Sequence, residues 1–183
     1  KSGDSTVIWT ADEAEVFALA IDRQGVLYAG TSPKGKVYRI EKGKATEFFN
    51  PGTTYIWSLR FDDEGSLFSG TGDEGKIFKV NKNGSGKLYY ETGQVHVTCL
   101  ELDANGELLA GTEPNGILYR INSAGRAFVI YDANLPEIRA LAPQPDGTIY
   151  VAALGGSVAK RAATALLAPS KTQRVTATGT SIT

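Results

Sequence analysis

Hydrophobic residues come in short runs along this chain, rich in β-branched and aromatic side chains, and each run stops at Gly, Asp or Asn. Such runs predict β-strands that end in turns. The runs also repeat. Phe17, Ala18, Leu19, Ala20 and Ile21 lie in a segment, 16–25, with counterparts at 56–65, 97–106 and 138–147. Each segment closes on a glycine, and Gly25, Gly65, Gly106 and Gly147 recur at intervals of 40, 41 and 41 residues. Regular self-similarity at this period is the mark of a repeat architecture.

A second run follows each of these glycines, at 26–31, 66–71, 107–112 and 148–153. It ends in Gly-Thr three times, at Gly30-Thr31, Gly70-Thr71 and Gly111-Thr112, and in Ala152-Ala153 the fourth time. Another glycine comes next, at Gly35, Gly75, Gly116 and Gly156, and then a third run at 37–40, 77–80, 118–121 and 158–161. A looser fourth run occupies 45–50, 87–91 and 126–131. Four strands in about 41 residues is the length of a propeller blade. Both parities of the first strand are apolar, as expected of a sheet covered on both faces.

The predicted fold is therefore an all-β propeller of four-stranded antiparallel blades, spanning 5–161. Four blades are expected in this chain, at 16–50, 56–92, 97–132 and 138–161. Residues 5–10, Ser-Thr-Val-Ile-Trp-Thr, align with the fourth strand of the other units and predict an outer closing strand. The chain could be a complete four-bladed ring or the first part of a larger one of about six to eight blades. The larger ring is preferred, because four blades is the low end of the range. Residues 162–183, rich in Ala, Ser and Thr, also read as a linker or tail.

The stretch 18–31, Ala-Leu-Ala-Ile-Asp-Arg-Gln-Gly-Val-Leu-Tyr-Ala-Gly-Thr, resembles the repeat of bacterial two-component-regulator-type propellers. It is also similar to bacterial propellers of the NHL and WD40-like groups. The resemblance implies an extracytoplasmic sensing or scaffolding module, periplasmic or secreted. The position that regulator-type repeats fill with Trp holds Tyr28, Phe68, Leu109 and Tyr150 here.

Composition narrows the chemistry. Nineteen basic and twenty acidic side chains give a net charge of −1, with no basic stripe, so no nucleic-acid partner is expected. No run approaches the roughly 18 apolar residues of a membrane helix, so no membrane insertion is expected. Methionine is absent even from position 1, which suggests a processed or cut chain. Cys99 and His96 are the only residues of their kinds, so the chain cannot build an ordinary zinc cluster, and no cofactor is implied. No Gly-x-Ser-x-Gly motif accompanies His96, and no Lys-Ser/Thr follows Gly72-Asp73-Glu74-Gly75, so neither a serine triad nor a phosphate loop is expected.

Asp22, Asp62, Asp63 and Asp103 could bind calcium, but they sit a blade apart and calcium needs about six to eight converging oxygens. A turn role is expected for them. Asn83-Gly84-Ser85 is both a glycosylation sequon and a hairpin signal, and the turn is preferred. Arg60 and Glu101, at equivalent places in adjacent repeats, predict an interblade ion pair. Binding residues are sought where the repeats break their own pattern. The start of the first strand carries Phe17, Trp57, Thr98 and Arg139, and nearby loops carry Tyr55, His96, Asn134 and Glu137. Tyr55, Trp57, His96, Glu137 and Arg139 are the candidate ligand-binding residues; packing between blades is the competing role for Tyr55 and Trp57.

The leading functional expectation is a non-catalytic scaffold that binds a protein, peptide or small molecule on its loop face. The alternatives are a propeller-type hydrolase or lyase, its metal or acidic groups coming partly from further blades, and a purely structural repeat. Association to complete the ring is also open.

Overall fold

The computed structural model describes residues 3–155. The third strand expected at 158–161, Gly156 and the stretch 162–183 lie outside the described residues. Fourteen strands are described. The first sheet holds β1 (Glu15–Ile21), β2 (Leu27–Ser32), β3 (Val37–Glu41) and β4 (Lys44–Phe49) in that order. The second holds β5 (Ile56–Phe61), β6 (Leu67–Thr71), β7 (Lys76–Val80) and β8 (Gly86–Glu91). The third holds β9 (His96–Leu102), β10 (Leu108–Glu113), β11 (Ile117–Ile121) and β12 (Ala127–Asp132). A fourth sheet pairs β13 (Glu137–Pro143) with β14 (Ile149–Leu154). All pairings are antiparallel between consecutive strands. No helix among the described residues is long and apolar enough to cross a membrane.

Each sheet is a blade, and the blades stack through their first strands, β1 on β5, β5 on β9 and β9 on β13. The Gly-Thr of the repeat makes this stacking possible. A Cβ added at Gly30 would lie 2.5 Å from Ile56 Cγ2; one at Gly70 would lie 2.8 Å from Val97 Cγ1; one at Gly111 would lie 2.6 Å from Ile138 Cγ2. The β-branched residue that opens the next blade therefore sits where a side chain would have been. Ile56, Val97 and Ile138 are fully buried there. The following threonines turn inward, and the hydroxyls of Thr31, Thr71 and Thr112 donate to the carbonyls of Lys36, Lys76 and Ile117 at 3.2, 2.9 and 2.8 Å.

The turn aspartates act within their own hairpins. Oδ1 of Asp22 accepts the N–H groups of Gln24 and Val26, both at 2.9 Å; Asp62 holds Glu64 and Ser66 at 3.0 and 2.7 Å; Asp103 holds Asn105 and Glu107 at 2.9 and 3.0 Å. The glycine that follows each is left-handed, with φ of 81° at Gly25 and 83° at Gly65. Asn83 does the same for Ser85 N–H at 3.0 Å, as a turn residue.

At the outer edge the blades meet through aromatic pairs. Phe49 packs on Phe78 at 5.5 Å between centroids and Tyr90 on Tyr119 at 5.9 Å. Trp9 packs on Tyr38 at 5.2 Å in the equivalent place. Residues 5–10 thus lie against the first blade as an outer strand of a preceding blade would. The expected strand itself is not formed, and the segment joins no sheet. Trp9 finds its place, whereas Val7 and Ile8 stay exposed, and a ladder needs a paired neighbour for its N–H and C=O groups.

The two ends of the stack are uncovered. Leu59 and Leu100 are buried against a preceding blade, whereas their first-blade counterpart Leu19 is 63% exposed and Ile21 is 65% exposed. At the other end Tyr150 is 55% exposed, where Tyr28 and Phe68 are buried.

Two stability changes follow. Gly111→Ala lowers stability by about 1–3 kcal/mol, because Ile138 is held by the backbone of its own strand and cannot move aside. Ser69→Ala raises stability by about 1 kcal/mol, because the Ser69 hydroxyl is buried without a hydrogen-bond partner where Ala29 and Ala110 stand in the neighbouring blades. Urea unfolding midpoints check both.

Candidate functional site

The first strand of every blade contains a β-bulge at the same place. Pairing skips between Val16 and Ala18, Ile56 and Ser58, Val97 and Cys99, and Ile138 and Ala140. The extra residues are Phe17, Trp57, Thr98 and Arg139. A bulge frees one residue from the ladder and re-aims its side chain, so its identity can vary without disturbing the sheet. Tyr55, His96 and Glu137 are also equivalent to one another, each directly before the β-branched residue that locks two blades together.

Phe17, Trp57 and Thr98 each lean toward the next blade. Phe17 lies 4.4 Å from Trp57 and 6.5 Å from Tyr55 between ring centroids. Tyr55 and Trp57 stack at 5.1 Å with their planes 15° apart. His96 meets both edge-on, at 5.9 Å from Tyr55 and 5.5 Å from Trp57. The Trp57 indole N–H donates to His96 Nδ1 at 3.0 Å, which places the ring proton of the neutral imidazole on Nε2. Gly72 makes room for the group: a Cβ there would lie 2.7 Å from Trp57 Nε1 and 2.8 Å from both His96 Nδ1 and Tyr55 Cδ2. Its counterparts are Ser32 and Glu113.

The structure thus brings Tyr55, Trp57 and His96 together and adds Phe17 and Gly72 to them. All three candidate rings remain partly exposed. They serve both as packing across three blades and as an accessible aromatic surface. Glu137 and Arg139 form a separate charged pair on the fourth blade, with Arg139 donating to Glu137 at 3.0 Å. Asn134, in the loop before them, has a left-handed backbone with φ of 50°. Thr98 is spent on the backbone, donating to the carbonyls of Gly111, at 3.1 Å, and Ile138.

Two other polar features are interblade contacts. Arg60 reaches Glu101 at 3.3 Å across β5 and β9 as a half-exposed pair, which contributes little to stability. Cys99 Sγ lies 3.6 Å from the Ile138 carbonyl, as the Ser58 hydroxyl lies 3.0 Å from that of Val97. Burial pushes the Cys99 thiol up to about 11, so the thiolate a nucleophile requires is disfavoured.

Comparison with known proteins bears on the fold. Virginiamycin B lyase from Staphylococcus aureus matches with a TM-score of 0.67 and 17% identity over 78% of this chain and 50% of its own. The chain is an arc of a β-propeller. Hydrazine synthase from Kuenenia stuttgartiensis matches with a TM-score of 0.65 and 16% identity over 75% of this chain and 43% of its own. A nidogen/laminin complex matches with a TM-score of 0.67 and 17% identity over 76% of this chain and 57% of that one. The propeller arc spans about half the length of the solved structures it matches. No family model matches the chain, and no curated protein does.

The buried thiol gives a pH test. A thiol whose value is raised in the fold contributes stability that is complete below the unfolded-state value near 9.0 and is lost as pH rises toward 11. Wild type should lose about 2 kcal/mol by pH 11 relative to Cys99→Ser. The difference in urea midpoint between the two proteins, measured at pH 8 and again near 11, checks this.

Proposed function

We propose that this propeller arc is a non-catalytic binding or sensing scaffold, and that its ligand, a protein, peptide or small molecule, lies on the face where the first strands begin. Tyr55, Trp57 and His96 supply an aromatic platform, and Glu137 and Arg139 a charged flank. The observation that carries this reading is the row of four bulges. The first three blades keep their Gly-Thr pairs and turn aspartates and all four keep a β-branched residue at the lock, yet all change identity at Phe17, Trp57, Thr98 and Arg139, the positions released from the ladder. Variable side chains on a rigid frame are the usual carriers of recognition, and Tyr, Trp and Arg are favoured anchors.

The solved neighbours include both a lyase and a propeller complex, so their names support an enzyme and a binding module alike. Binding is favoured here because the groups an enzyme would draw on are already engaged. Glu101 is held by Arg60 and Glu137 by Arg139, while Trp57 occupies the imidazole Nδ1. Kinship with bacterial regulator-type propellers, and a periplasmic or secreted location, belong to the same proposal. So does the covering of the uncovered end faces by further blades, from the same polypeptide or by association.

Selection of a phage-displayed peptide library on the immobilised protein tests the reading. Enriched peptides should bind wild type and lose about tenfold or more affinity for the Trp57→Ala/Arg139→Ala double variant, with its β-sheet circular dichroism retained. Enriched peptides that bind the double variant as well as wild type would move the site elsewhere.

A further inference from the structure

A cavity of about 370 Å³ lies between the first two blades, at the opposite end of the first strands from the aromatic platform. Its apolar wall is made of Tyr28, Phe48 and Phe61, which meet edge to face at 5.0 Å on either side of Tyr28. Asp22 stands at its rim. The same place exists between the second and third blades, lined by Asp62, Phe68 and Tyr89, but it encloses only about 200 Å³. The two places also differ in how their cation is paired. In the second blade Lys79 bonds Asp62 at 2.9 Å and stands 5.1 Å over the Phe68 ring. In the third blade Arg120 bonds Asp103 at 3.0 Å.

The first blade breaks this rule. Its equivalent cation, Arg39, lines the cavity beside the Tyr28 hydroxyl but pairs with Glu41, at 2.8 Å, instead of with Asp22. Asn81 and Asn122 stand in the place of Glu41 in the second and third blades, so of the three blades described through this strand the first alone has a carboxylate there. Asp22 Oδ2 is left with the Tyr28 hydroxyl alone, at 3.5 Å. Of the other charged groups lining the cavity, Arg23 is taken by Asp63 at 2.6 Å and Asp62 by Lys79. Lys82 and Glu64 complete the rim. The position therefore keeps the carboxylate and the aromatic face that hold a cation in the second blade, but its own cation, at the cavity wall, is paired with Glu41 and leaves the Asp22 carboxylate without an ionic partner.

We propose that this cavity binds a primary ammonium group, such as a small alkylamine or the side chain of a lysine, in the place that Lys79 Nζ fills one blade on. The ammonium donates to the Asp22 carboxylate and lies over the Tyr28 ring, and its alkyl chain covers Phe48 and Phe61. Charge-assisted hydrogen bonding and cation–π attraction both favour this arrangement. The site is separate from the proposed binding face and does not depend on it.

The test is a titration of the isotope-labelled protein with n-butylamine at neutral pH, followed by NMR amide shifts. Saturable shifts should centre on Gln24, Tyr28 and Gly65, and 1-butanol and butyrate should give none. Asp22→Asn should weaken binding about tenfold or more by removing the charge. It leaves the turn in place, because an asparagine can make the same pair of bonds: Asn122, in the β11–β12 hairpin, accepts the N–H groups of Ala124 and Arg126, both at 3.1 Å. Glu41→Asn should also abolish binding, by releasing Arg39 to pair with Asp22 as its counterparts do. The absence of saturable shifts in wild type, equal response to butyrate, or unchanged affinity in both variants would overturn the proposal.

Discussion

A β-branched side chain of one blade seated on a glycine of the blade before it sets the geometry of this molecule. At Ile56 on Gly30, Val97 on Gly70 and Ile138 on Gly111 the two backbones come as near as one side chain permits. At the outer edge the same blades are held apart by pairs of rings, Phe49 on Phe78 and Tyr90 on Tyr119. Thin contacts at the inner strands and thick ones at the outer strands turn each sheet relative to the last, and the stack fans into an arc. Stability is thus shared between neighbours, as in other repeat proteins, and the end faces, with Leu19, Ile21 and Tyr150 uncovered, want another blade's surface.

Freedom appears where this constraint lapses. The bulge next to each lock releases one residue from the ladder, so the chain can place phenylalanine, tryptophan, threonine or arginine there at little cost to the sheet. The aromatic platform grew at that spot because Gly72 gave up its side chain beneath it. The cavity beside Asp22 reflects a similar local departure, a glutamate at position 41 taking the arginine that would otherwise pair with Asp22. Both features are single-blade exceptions to rules the other blades obey.

Most of the fold was legible in the sequence because its signals are local. Gly25, Gly65, Gly106 and Gly147 mark turns through their backbone requirement, and the runs between them show strand composition and length. The Arg60–Glu101 pair was also legible, since equivalent positions in adjacent repeats must face each other. Most of what escaped depends on partners far along the chain. The strand expected at 5–10 has the right side chains, and Trp9 finds Tyr38, but a ladder needs a neighbour that composition does not reveal. The pairing of Glu137 with Arg139 is local, two residues apart across the bulge of β13, and escaped because the bulge that aims Arg139 does not show in residue type. Gly72 reads as a loop residue until the three rings above it are seen, although its counterparts Ser32 and Glu113 already marked it as the smallest of its row.

A double-mutant cycle on Gly30→Ala and Ile56→Ala tests the central constraint most directly. Each change alone should destabilise, the first by collision and the second by the cavity it leaves. If the side chain of Ile56 occupies the space of the missing Cβ, the added methyl should partly fill that cavity, and the double variant should be more stable than the sum of the single losses by about 1–3 kcal/mol. Losses that simply add would contradict the account.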